Sequence, residues 1–284
     1  MRLLDVMNSP WAILPAQLQE IQNIYLTHLR GEKIDIKGVE DRLGKKLKSE
    51  QKRYEINGNV AILPIEGVLA KKMNLFSEIS GGTSTELIIN DLKTILQDES
   101  VKTVILNIDS TGGSVDGTPE LANAIFEARK KKKIIAHTSG NMASAAYWIG
   151  SAADAVVISS DVTQVGSIGV VATHVDKSMA EDMAGIKTTE IVAGKYKRIA
   201  SQYAPLTQEG RQTIQEHLDY IYSVFIDDIA KFRDVSVERV LTDMADGRVF
   251  IGKQAIKAGL VDGISTLEAL IADLNAAGER AIMI

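Results

Sequence analysis

From Asn59 onward the chain alternates between two hydrophobic patterns. Short apolar runs, Val60-Ala61-Ile62-Leu63-Pro64-Ile65, Val104–Ile108, Lys133–Ala136 and Ala155–Ile158, lack the apolar–polar alternation of a half-exposed strand and predict buried strands. Between them lie segments of helical period. Ile88, Leu92 and Ile95 share one face, and Leu121, Ile125 and Ala128 share another. Thr83 and Glu86 have capping-box spacing for the first helix, and Thr118-Pro119 opens the second with proline in its first turn. Val165–Val171 and Thr188–Val192 are read as further strands. This order predicts an α/β fold with a mostly parallel sheet covered by helices.

Beyond Pro205 the period is helical. Thr207–Phe232 carries Leu218, Ile221, Val224, Phe225 and Ile229 on one side, and Val237–Met244 predicts a shorter helix. Lys253–Ala258 predicts a helix stopped by Gly259, followed by a short strand at Leu260-Val261 and a last helix over 266–277. Upstream, Leu18, Ile21, Tyr25 and Leu29 predict an amphipathic helix over 12–30. The charged stretch Gly31–Glu55 reads as a solvated connector, or as a removable or oligomer-forming arm. The expected organisation is an N-terminal helix and charged arm (1–57), a core domain (58–275) and a short tail (276–284).

Composition narrows the function classes. Of 284 residues 45% are hydrophobic and 24% charged, enough for a sizeable core. A net charge of −5 argues against a nucleic-acid-binding surface as the main function. The absence of cysteine removes disulfides, thiolate metal sites and a cysteine nucleophile. Asp5 and Pro10 break any leader-like apolar run, and no stretch approaches the ~20 apolar residues of a membrane span, so the cytoplasm is the expected location.

Three turns follow predicted strands, where open α/β sheets place their sites. In Asp109-Ser110-Thr111-Gly112-Gly113-Ser114 the paired glycines allow close backbone approach to a ligand, or serve a tight turn. In Ser139-Gly140-Asn141-Met142-Ala143-Ser144-Ala145-Ala146, Ser144 precedes a small-residue helix. It reads as a nucleophile beside free N–H groups, or as an ordinary helix cap. Ala193-Gly194-Lys195-Tyr196-Lys197-Arg198-Ile199 reads as a basic surface, or as the source of a general base, which requires desolvation of a lysine. Of the four histidines, His137 lies at a strand end near Ser144 and leaves a Ser–His–Asp set open. It also reads as a hydrogen-bonded, partly buried polar residue, and His28 and His217 read as surface residues. No histidine pair has metal-ligand spacing, and there is no phosphate loop or dinucleotide fingerprint, so neither metal nor cofactor is expected.

Taken in order, these turns resemble the signal peptide peptidase A (SppA) family of serine–lysine peptidases, which shares its core with the Clp protease subunit and the crotonases. The resemblance rests on Asp109-Ser110-Thr111-Gly112-Gly113, Met142-Ala143-Ser144, Gly166-Ser167-Ile168-Gly169-Val170 and Ala193-Gly194-Lys195-Tyr196-Lys197. It extends to Ala245-Asp246-Gly247-Arg248-Val249-Phe250 with Gly259-Leu260-Val261-Asp262, and covers roughly residues 58 to 270. It implies a ClpP/crotonase-like fold, Ser144 as nucleophile and Lys197 as general base. Ser167 would orient the lysine, and the backbone N–H groups of Gly113 and Ala145 would form the oxyanion hole. Thr111 stands where the family has proline, and Ala145-Ala146 where it has Gly-Gly. In layout the chain is similar to phage capsid-assembly (prohead maturation) proteases. This implies scaffold or capsid proteins, and possible self-cleavage, as substrate, a homo-oligomer, and action in the host cytoplasm within an assembling capsid. The same resemblance leaves two other readings: a cytoplasmic peptidase for signal or membrane-derived peptides, and a non-catalytic capsid assembly factor.

Overall fold

The computed structural model describes residues 10–29, 54–72 and 82–282. Most of the charged stretch over 31–55 lies outside them. The four predicted buried strands form the centre of one six-stranded sheet. Its members are β2 (Glu55–Asn57), β3 (Val60–Glu66), β6 (Thr103–Asp109), β8 (Lys133–Thr138), β10 (Ala155–Ile158) and β13 (Gly263–Ile264), in the order β13-β10-β8-β6-β3-β2. All neighbours are parallel except β2, which runs antiparallel on the edge. This is the α/β fold that the alternation predicts.

Three of these strands end in a kink and a second short strand. β3 passes through Gly67 into β4 (Val68–Ala70), β6 into β7 (Gly112–Ser114), and β8 into β9 (Asn141–Ala143). β7 and β4 join β1 (Trp11–Ile13) and β5 (Gly82–Ser84) in a sheet of order β1-β7-β4-β5. β9 joins β11 (Gln164–Gly166) and β12 (Val249–Ile251) in the order β12-β11-β9. A second layer of backbone therefore stands over the carboxyl ends of the parallel strands.

The helices bury the faces that their period predicts. In α2 (Thr85–Gln97) Ile88, Leu92 and Ile95 are buried, and in α3 (Thr118–Ala128) Leu121, Ile125 and Ala128 are. The N-cap of α2 is Ser84, whose hydroxyl accepts from Leu87 N–H, and not Thr83. Thr83 sits in β5, and its hydroxyl is spent on the main chain of Glu66, accepting its N–H at 2.9 Å and donating to its carbonyl at 2.8 Å. Helix α4 (Ala145–Ser151) is buried at every residue. The long α6 (Gln208–Arg233), capped by Thr207, stacks Phe225 on Trp148 of α4 with ring centroids 4.1 Å apart, and Asp228 accepts from the indole N–H at 2.8 Å. At the end of α6, Arg233 holds Asp262 through two hydrogen bonds of 2.7 and 2.8 Å.

Some local expectations are corrected. Of Val165–Val171 only Gln164–Gly166 is strand, with Val171 forming an isolated bridge to Trp11. Thr188–Val192 forms no strand, because its Ile191 and Val192 are exposed and no strand among the described residues pairs with it. The strand expected at Leu260-Val261 falls at Gly263–Ile264. The N-terminal helix, α1 (Pro15–Leu29), is preceded by β1, which the helical period at 12–30 did not foresee.

Candidate active site

The kinks at the ends of β6 and β8 bring two of the glycine-rich turns together. Ser110 N–H donates to Asn141 carbonyl at 2.8 Å, and Ala143 N–H to Ser110 carbonyl at 3.1 Å. The Asp109 carboxylate accepts from Asn141 N–H at 3.2 Å. It packs so closely on Gly140 that a Cβ there would stand 2.4 Å from Asp109 Oδ1. Gly113 is held as tightly, since a Cβ on it would lie 2.1 Å from the carbonyl oxygen of Leu69. Glycine at 113 is therefore a requirement of backbone-to-backbone packing between β7 and β4.

Ser144 forms the corner between β9 and α4. Its φ of 55° and ψ of −120° lie in a region that side-chain-bearing residues rarely adopt, at a cost of about 1–3 kcal/mol. Ser144 stands at the N-cap position of α4, but its hydroxyl caps no helical N–H. Ser144 N–H instead donates to Gly166 carbonyl at 2.7 Å, and the hydroxyl to Gly169 carbonyl at 3.4 Å. A serine forced onto a sharp strand-to-helix corner is the geometry of a nucleophile elbow. Ala145 follows as the first residue of α4, where no earlier helical turn supplies a carbonyl for its N–H. Ser167, also at positive φ (53°), is buried, and its N–H donates to Arg248 carbonyl at 2.7 Å.

Lys197 is placed differently. It lies in a 3-10 turn, Lys195–Arg198, on an exposed arm. Lys195 pairs with Glu209 and Arg198 with Glu190, whereas Lys197 makes no side-chain hydrogen bond or ion pair among the described residues. Main-chain hydrogen bonds thus tie Ser144 to Gly166, the neighbour of Ser167, and the Gly113 turn to the β9 strand that precedes Ser144, whereas no hydrogen bond joins Lys197 to them. Sequence reasoning missed the Gly169 carbonyl and the Asp109 carboxylate as parts of this framework. Both residues stand in motifs that carry the family resemblance, Gly166-Ser167-Ile168-Gly169-Val170 and Asp109-Ser110-Thr111-Gly112-Gly113, without a role assigned to them there.

His137 takes no part. It is wholly buried in β8, where Nε2 donates to Ser265 carbonyl at 3.1 Å and Nδ1 faces the Asn107 amide at 3.5 Å. Burial pushes its pKa down. The unfolded chain takes up a proton near pH ~6.5, so below that pH it binds more protons than the folded chain, and stability falls with pH. Tm is expected to drop between pH 7.5 and 5.5, with a shallower slope in His137→Gln, as thermal melts across that range will read.

The α/β fold carries Ser144 in its strained conformation on a strand-to-helix corner, and the comparisons specify the class of protein. The model of peptidase family S49 matches residues 127–280, more than half of the chain. The chain belongs to that family. A protease-named protein of Methanocaldococcus jannaschii is 37% identical over 180 residues, 63% of this chain and 57% of that protein. The head-tail preconnector protein GP5 of Enterobacteria phage P21 is 31% identical over 209 residues, 74% of this chain and 41% of that one. Capsid assembly protease C of Escherichia phage lambda is 29% identical over 213 residues, 75% and 48% respectively. The chain thus spans about half the length of these relatives. Among the described residues no helix is long and apolar enough to cross a membrane.

Proposed function

We propose that this chain is a serine endopeptidase in which Ser144 is the nucleophile and Lys197 the general base. The observation that carries the reading is the strained conformation of Ser144, whose Oγ makes no capping hydrogen bond. Ser144 Oγ attacks a peptide carbonyl while Lys197 accepts its proton and passes it to the leaving amine. The N–H groups of Gly113 and Ala145 receive the oxyanion, and Ser167 orients the lysine. The peptidase domain is assigned to 58–275, with 1–57 as N-terminal helix and arm and 276–284 as tail.

A lysine works as a base when burial takes its ammonium out of water. The arm that carries Lys197 also exposes Met179, Met183, Ile186, Ile191 and Tyr196. So many exposed apolar side chains on one arm support a homo-oligomer in which a second copy covers the arm and desolvates the lysine. Similarity to the phage P21 and lambda proteins favours scaffold or capsid proteins as substrates during head maturation. Relatives named as signal peptide peptidase support the alternative of membrane-derived peptides.

Labelling with a fluorophosphonate, followed by peptide mass spectrometry, tests the dyad. The expected result is a single adduct on Ser144, formed about 100-fold more slowly in Lys197→Ala. Absence of any adduct on the assembled protein would support the non-catalytic assembly factor instead.

A further inference from the structure

The strand β1 belongs to none of the family-like motifs, yet it lies across their centre. On one side it runs antiparallel to β7, with Trp11 opposite Ser114, Ala12 opposite Gly113 and Ile13 opposite Gly112. On the other side Trp11 exchanges both main-chain hydrogen bonds with Val171, each 2.9 Å. A peptide held between two such edges is bound as an added strand. Val171 is two residues beyond Gly169, whose carbonyl accepts the Ser144 hydroxyl.

The register fixes which peptide group meets the site. Leu14 N–H donates to Thr111 carbonyl at 3.0 Å. Hydrogen-bonded pairs alternate along an antiparallel ladder, so the next such pair is Ala12 with Gly113, and Gly113 N–H donates to the Ala12 carbonyl oxygen. This N–H is the donor assigned to the oxyanion hole. The side chains alternate accordingly. Ala12 is wholly buried in the main core, whereas Trp11 and Ile13 pack with Leu18, Ile21, Val68 and Val171.

We propose that residues 11–14 are an intramolecular substrate strand, that Ala12–Ile13 is the bond presented to Ser144, and that the uncut strand closes the groove to other substrates. The proposal rests on the reading of Ser144 as nucleophile. Ser144 Oγ bonds to the Ala12 carbonyl carbon, its proton passes by way of Lys197 to the Ile13 nitrogen, and the C–N bond breaks. Water then hydrolyses the Ser144–Ala12 ester, leaving a carboxylate on Ala12, a new amino terminus at Ile13 and a free Ser144 hydroxyl. The buried setting of Ala12 further assigns the groove to extended segments with a small residue before the cut.

The test follows the amino terminus of the full chain by intact mass and terminal sequencing in wild type, Ser144→Ala and Ala12→Asp. Hydrolysis of casein and of a quenched fluorescent peptide copying residues 8–17 is measured in parallel. Wild type is expected to convert to a chain beginning at Ile13, and to cut the peptide at the same bond. Ser144→Ala is expected to keep its terminus. Ala12→Asp should stay uncut at 12–13 but hydrolyse casein at least about tenfold faster than uncut wild type, because its strand no longer fills the groove. Ser144-dependent casein hydrolysis with an intact terminus, or with cleavage at another bond, overturns the intramolecular-substrate proposal and leaves the peptidase reading standing. Absence of Ser144-dependent hydrolysis of casein, peptide and the chain itself overturns both.

Discussion

Ser144→Ala is expected to lower casein hydrolysis by at least about 10,000-fold, with the Tm almost unchanged. Removing the nucleophile of a serine peptidase forfeits nearly all of the chemical step, and what remains comes from binding and the oxyanion donors. The structural loss is one long hydroxyl-to-carbonyl contact, Ser144 to Gly169 at 3.4 Å, and alanine inherits the same strained φ of 55°. Such a contact contributes no more than about 1 kcal/mol. Initial-rate assays and thermal melts on the same preparations check both halves. A variant that hydrolyses casein at the wild-type rate would remove Ser144 from the mechanism, and one that melts far lower would assign the serine a structural role.

Phe225→Ala is expected to destabilise the chain by about 3–5 kcal/mol, the usual range for truncating a buried phenylalanine. Phe225 is fully buried and stacks on Trp148 with an interplanar angle of 7°. Trp148 sits one turn beyond Ser144, and its N–H bonds to Ser144 carbonyl at 2.9 Å. The cavity therefore opens against the helix that holds the nucleophile, and activity should fall with stability. For a domain of this size the shift in Tm is roughly 6–20 °C. Phe225→Leu, which refills most of the space, should recover more than half of the loss. Urea midpoints for the pair are the measurement, and an unchanged midpoint in Phe225→Ala would contradict this packing.

Apolar runs and helical periods placed the four central strands of the six-stranded sheet, α2, α3 and α6, because buried strands and amphipathic helices write their burial directly into residue order. Glycine- and serine-rich turns after strands marked Gly113 and Ser144, and the resemblance to the SppA family added Ser167. Local sequence could not decide that the hydroxyl of Ser144, which stands at the N-cap position, makes no capping hydrogen bond. Its N–H and hydroxyl instead bond to the carbonyls of Gly166 and Gly169, over 20 residues away. Nor could it find the strand at Trp11–Ile13. Its three apolar residues suit a helix as well as a strand, and only the unpaired edges at Gly113 and Val171 make it extended. Thr188–Val192 shows the converse, a β-prone run left irregular for want of an edge to pair with. The sequence by itself determined the fold class and the order of the motifs, which follow from contacts between near neighbours and from burial. The tertiary structure decided which backbone groups face Ser144, because those hydrogen bonds join residues far apart in the chain.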